Sequence, residues 1–158
     1  MAPIALFSLF DTTQALRFSK ALIELGWEIL ATQETVDILE EEGIPCRDMA
    51  SFTGVHTDYG FPPTLHPKME YALTAKDAPE RIELAYVISY PFDIGSDIGG
   101  RTLLGLAAKG NRIPVMLHTD FDRVIAELQH ESKVSDGLRA ELIQKTNAEI
   151  AGHYLKLV

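Results

Sequence analysis

The chain has 158 residues, 46% hydrophobic and 23% charged, the usage of a folded domain and not of a disordered tail. Lys and Arg total 14 against 23 Asp and Glu, a formal net charge of -9. That balance, without any basic run, excludes a general nucleic-acid binder, whose affinity rests on clustered cations that release counterions from phosphates. No apolar stretch approaches the roughly 20 residues that span a bilayer, and Met1-Ala2-Pro3-Ile4 lacks the charged start of a signal peptide. A soluble, cytoplasmic protein that engages neither nucleic acid nor membrane is expected. Its single cysteine, Cys46, makes neither an internal disulfide nor a zinc site.

Ile4 to Leu9 is a short apolar run of the kind a doubly buried strand needs. Asp11 then offers itself as the cap of a helix over Thr12 to Leu25, where Ala15, Phe18, Leu22 and Leu25 recur at three- and four-residue steps and Gly26 supplies a left-handed stop. Trp27 to Ala31 predicts a second strand. Thr35 is the expected cap of a helix through Glu42, closed by Gly43, and Ile44 to Met49 is a weaker third strand. Between Ala50 and Pro63 the pattern fails, which predicts an irregular loop. A short helix is expected from Pro67 to about Leu73, with proline at its first position. Leu84 to Ser89 is the next strand, followed by a helix from Ile98 to Lys109 that Gly110 stops. Ile113 to Leu117 is a further strand. Thr119 or Asp120 is expected to cap a helix to His130, and Ser135 or Asp136 to cap a last one.

Gly and Pro are scattered, with no linker or repeat, so residues 1–158 are expected to form one domain. Alternating strands and helices predict an α/β three-layer sandwich, mostly parallel, with helices on both faces. In such sheets ligands bind at the carboxyl ends of the strands, where helix N-termini present N–H groups suited to anions.

Tyr90 to Gly100 is the most informative such segment, since it gathers a phenol, the carboxylates of Asp93 and Asp97, and a glycine pair at one strand end. Asp97 can serve as a general base or simply as a helix cap. Lys109 lies roughly 13 Å along the helix from its start, the place of a cation that complements the helix dipole. Ser8, Thr12 and Thr13 offer hydroxyls after the first strand. Thr32 to Thr35 occupies a phosphate-like position but lacks glycine and carries Glu34, which repels an anion. His56, Asp58 and His66 lack zinc-type spacing, so no metal is expected, and His118 and His153 read as polar groups at element ends. No P-loop, dinucleotide fingerprint, nucleophile elbow or H-E-x-x-H occurs.

IALFSLFD with Thr13, LIELGWEILAT with Thr35, LEEEGIP, Phe52-Thr53-Gly54, TLHPK at Thr64 to Lys68, YPF at Tyr90 to Phe92 and DIGGRTLLGLAAKG at Asp97 to Gly110 together resemble the inosine monophosphate cyclohydrolase domain. That domain is the amino-terminal half of a bifunctional purine-biosynthesis enzyme and has the methylglyoxal synthase fold. The resemblance covers almost the whole chain. It implies closure of a purine ring, in which a carboxamide nitrogen attacks a formyl carbon of the same molecule and water is lost. It also implies Tyr90, Asp97 and Lys109 as catalytic residues, with no metal or cofactor. Ser8, Asp11, Thr13, Thr32, Thr35, Thr64, His66, Gly99 and Gly100 would hold the ligand, a purine-precursor nucleotide, and Arg101, new relative to the family and next to Gly100, is expected to reach the same pocket in place of a lost cation. A homodimer is implied as well, because that family dimerises.

The departures from the family are equally specific. Its second serine and its lysine in the first loop are Phe10 and Thr12 here, its glycine pair for phosphate is Gln33 and Glu34, and its arginine, valine and lysine before TLHP are Phe61, Pro62 and Pro63. Each lost charge-assisted hydrogen bond is worth about 1.5–3 kcal/mol, so three weaken phosphate binding by roughly three to six decades. The expectation is therefore a cyclohydrolase relative with a degraded phosphate site. The alternative is a non-catalytic metabolite-binding or regulatory module on the same fold.

Overall fold

A computed structural model describes residues 1–55, 64–89 and 98–157. Five strands, β1 (Ile4–Leu9), β2 (Glu28–Ala31), β3 (Arg47–Asp48), β4 (Ile82–Ile88) and β5 (Ile113–Val115), form a sheet of order β3-β2-β1-β4-β5. Every pairing in it is parallel. Between them run α1 (Ala15–Glu24), α2 (Gln33–Glu41), α3 (Met49–Thr53), α4 (Pro67–Thr74), α5 (Gly99–Lys109) and α6 (His118–Glu131), and α7 (Asp136–Lys156) ends the chain.

Side chains alternate along each strand, so the sheet divides its apolar residues between two cores. Ala5, Phe7, Ile29, Tyr86 and Val115 face α1, α2 and α6, while Leu6, Leu30, Ala85 and Val87 face α3, α4 and α5. β4 changes this parity once. Ile4 pairs with Ile82 but Ala5 with Leu84, so the extra residue Glu83 forms a bulge that sends Ile82 and Leu84 to opposite cores. α7 contributes Leu138 and Leu142 to the first core and packs Ile150 against the second.

The elements follow the expected order, but several helix ends differ. α1 starts at Ala15 because the Asp11 carboxylate accepts the Thr13 N–H at 2.9 Å in a local turn and leaves Gln14 at the cap position. α2 is capped at Thr32, not Thr35, which is buried in the first turn. α6 starts at His118, with Asp120 turned to Lys145 (2.6 Å) and Arg123 (3.3 Å) instead of capping. Part of the expected loop is the short helix α3, capped by Asp48, whose side chain accepts from Ala50 N–H at 2.9 Å. Ser135 caps α7 as expected, accepting from Leu138 N–H at 3.2 Å.

Gly26 takes the left-handed conformation expected of it and Gly43 takes it as well, whereas Gly110, the expected stop of α5, does not. It has φ -81, and Asn111 is left-handed instead. The glycine is needed for space: a Cβ there would lie 1.9 Å from the Leu73 carbonyl oxygen and 2.8 Å from Thr74 Cα. Both are backbone, so relief requires separating α4 from α5. Gly110→Ala is expected to destabilise the fold by about 2–3 kcal/mol, read as a lower urea midpoint at unchanged slope.

On the α1/α6 side, Phe18 stacks on Phe121 at 4.0 Å, and Tyr86 meets Phe121, Phe7 and Phe18 edge-on at 4.8, 5.3 and 5.7 Å. The Tyr86 hydroxyl is buried with no hydrogen-bond partner among the described residues. Burial, helped by the Asp11 charge, pushes the phenol up to about 12. An unfolded tyrosine ionises near 10, so stability is complete below pH 10 and falls by about 3 kcal/mol as pH rises to 12. Tyr86→Phe is expected to match or exceed the parent's stability at pH 8 and to lack this alkaline loss, as urea melts at pH 8 and 11.5 will show.

Candidate functional site

The strand order reverses between β1 and β4, the point where an open parallel sheet leaves a crevice beyond its carboxyl ends. The two ends are level, since Phe10 N–H donates to the Ile88 carbonyl at 2.9 Å. Residues following β1 therefore stand beside the connection that leaves β4. Tyr90 and Asp97 belong to that connection and lie outside the described residues, as do His56 and Asp58.

On the β1 side, Ser8 is partly buried within the strand and Asp11 and Thr13 are exposed just beyond it. The Thr13 hydrogen bonds hold the Asp11 carboxyl below its ordinary range, with His118 adding a smaller contribution. His118 opens α6 after β5. Arg17 of α1 is ion-paired with Asp122 of α6 and lies over the Phe18 ring at 4.2 Å. On the β2 side, Thr32 N–H donates to the Phe7 carbonyl at 3.2 Å, which seats the start of α2 next to β1.

On the other face, α4 and α5 pack with their C-termini adjacent at Leu73, Thr74 and Gly110, so their N-termini open toward the carboxyl ends of the strands. His66 caps α4 by accepting from Lys68 N–H through Nδ1 at 3.1 Å. Thr64 is buried. Lys68 does not face the crevice; its Nζ donates to the Phe52 carbonyl at 2.7 Å, lies 4.1 Å over the Phe52 ring and pairs with Glu80 at 3.3 Å. Arg47 holds the other oxygen of Glu80 at 2.5 Å, and the Arg47 hydrogen bond is the main reason the Glu80 carboxyl sits below its ordinary range.

Gly99 and Gly100 form the first turn of α5, with Gly100 buried, and no acid lies in that turn. Arg101 is also buried, and its guanidinium reaches Glu149 of α7 at 3.7 Å. Lys109 is exposed at the far end of α5. Ten residues at 1.5 Å rise separate it from Gly99 by about 15 Å, beyond the reach of a lysine side chain. Within one chain the structure therefore brings Ser8, Asp11, Thr13, Thr32, Gly99, Gly100 and His66 to the carboxyl-end side and leaves Lys109 at the opposite end.

One residue that shapes this arrangement has no signal in the sequence. Arg112 follows Asn111 in what reads as an exposed turn, yet it is 1% exposed. It donates to the Ile82, Gly110, Ala72 and Ala75 carbonyls at 2.8, 2.8, 3.1 and 2.7 Å. It thereby ties the ends of α4 and α5 to the start of β4. Desolvation lowers its pKa.

Comparison with known proteins agrees with this architecture. A family model described as an MGS-like domain matches residues 14–115. The bifunctional purine biosynthesis protein PurH of Neisseria meningitidis serogroup C is 32% identical over 177 residues, covering 93% of this chain and 34% of that protein. PurH of an Anaeromyxobacter species is 32% identical over 178 residues, covering 94% and 34%. The crystal structure of ForH superposes with a TM-score of 0.80 at 25% identity, covering 98% of this chain and 95% of that one. The chain spans about a third of the length of these PurH relatives. Matched over most of its sheet and helices, the chain belongs to the MGS-like domain family.

Proposed function

We propose that this chain is a cyclohydrolase of the inosine monophosphate type, closing the pyrimidine ring of a formylated aminoimidazole carboxamide in the crevice between β1 and β4. The observation that carries this is the likeness to PurH across 93% of the chain, which includes the Asp97 to Gly110 segment. The reaction forms one C–N bond within the substrate and releases one water. The substrate already holds both reacting groups, so the protein's task is to fold them together and move protons. Asp97 accepts the proton that the carboxamide nitrogen loses as it attacks. Tyr90 donates toward the formyl oxygen, which leaves as water when the formamido nitrogen gives up its hydrogen and the ring C=N bond forms. The Gly99 and Gly100 backbone at the start of α5 supplies N–H groups for oxygen as charge builds on it. Lys109 stands too far along α5 to join this group within one chain, so the proton work rests on Tyr90 and Asp97.

A second proposal, a binding or regulatory module without chemistry, draws on Glu34, which is exposed in the first turn of α2. Asp97→Asn separates the two. In the enzyme it abolishes product formation, whereas in a module it changes only ligand affinity, as measured by thermal shift.

A further inference from the structure

The charges around the carboxyl ends of the strands are placed against a phosphate. Four of the five strand-to-helix junctions carry a carboxylate of the chain's own among the described residues. Asp11 takes the Thr13 N–H before α1, Glu34 sits in the first turn of α2, Asp48 caps α3 and Asp120 is buried in the first turn of α6. At α2 and α6 the acid occupies the first turn, where a helix N-terminus otherwise receives an external anion. α5 has no acid in its first turn, and the segment before it carries Asp93 and Asp97 in sequence.

Among the described residues the nearby Lys and Arg side chains are ion-paired. Arg17 is paired with Asp122, Lys145 and Arg123 with Asp120, and Arg101 with Glu149. Apolar side chains stand at the same junctions: Phe10, Ile98 and Leu117 are 41%, 51% and 49% exposed, immediately before Asp11, Gly99 and His118. An apolar and acidic rim desolvates a neutral ligand cheaply and opposes a dianion.

We infer that the crevice takes an uncharged substrate, the formylated aminoimidazole carboxamide as its riboside and not as its phosphate ester. This rests on the ring-closure proposal and names the substrate class of the same site. A carboxylate about 8 Å from a phosphate at an effective dielectric near 20 disfavours it by at least about tenfold per charge pair. Glu34, exposed on α2, is the acid whose removal disturbs the fold least.

Cyclisation is measured by ultraviolet absorbance with the riboside and with its 5′-phosphate, for the parent chain and for Glu34→Gln. The expected result is a kcat/KM for the riboside at least about tenfold above that for the phosphate ester, with the ratio narrowed about threefold or more in Glu34→Gln. Equal rates, or a preference for the phosphate ester, overturn the inference and leave ring closure standing. A preference that Glu34→Gln does not narrow overturns its electrostatic cause. Cyclisation of neither form overturns ring closure itself, and the inference with it.

Discussion

Arg112→Ala is expected to lower the unfolding free energy by about 3–5 kcal/mol and the melting temperature by roughly 10 °C. The side chain is fully buried, and its four hydrogen bonds end on main-chain carbonyls at the last turns of α4 and α5 and the first residue of β4. Helix C-termini leave carbonyls without intrahelical partners, and here the guanidinium supplies donors to those of Ala72, Ala75 and Gly110. Truncation therefore strands several buried acceptors at once and opens a cavity the size of the side chain. The negative ends of the two helix dipoles also offset the desolvation of the guanidinium, which is why a charge survives at this depth. Arg112→Lys keeps the charge but not the planar fork, and is expected to recover less than half of the loss. Urea denaturation followed by circular dichroism checks both variants. A loss below about 1 kcal/mol for the alanine variant would contradict this role.

Asp97→Asn is expected to reduce the rate of ring closure by at least about 100-fold while leaving the melting temperature within about 2 °C of the parent. Asparagine is as good a helix cap as aspartate, so a purely structural Asp97 would tolerate the change. A general base would not, because the amide cannot accept the proton that the attacking nitrogen must lose. The α5 cap position is held by Ile98, one residue later, which makes capping the less demanding explanation to exclude. Substrate KM should change little, since the lost interaction develops as the proton moves. A rate within threefold of the parent would remove Asp97 from the proposed chemistry.

Most of the sheet was legible from the sequence because a doubly buried parallel strand needs an unbroken apolar run, and Ile4 to Leu9 supplies one that coincides with β1. Helix starts were less legible. Thr32, Thr35, Asp11 and Asp120 are all competent caps, and only tertiary placement decides which of them is used. The α3 turn hid in a stretch of mixed composition, where five residues are too few to show a period. Gly110 was legible as a stop, but the contact with the Leu73 carbonyl that demands a glycine there was not. Arg112 gave no warning, because a buried arginine is recognised by the carbonyls that converge on it and those lie up to 40 residues away.

For the site, the sequence singled out Glu34, and the fold places it in the first turn of α2, whose start is seated next to β1. Lys109 stands at the far end of α5. Its distance from Gly99 follows from helix rise, and the fold sets α5 along the strands so that the two ends of the helix serve opposite ends of the molecule.

The most direct test of the proposed chemistry is cyclisation of the formylated aminoimidazole carboxamide by the purified chain, supplied as riboside and as 5′-phosphate and followed by ultraviolet absorbance. Purine product from the riboside, lost in Asp97→Asn, is the predicted result. No product from either form, together with no thermal stabilisation by either, would contradict ring closure as the function of this crevice.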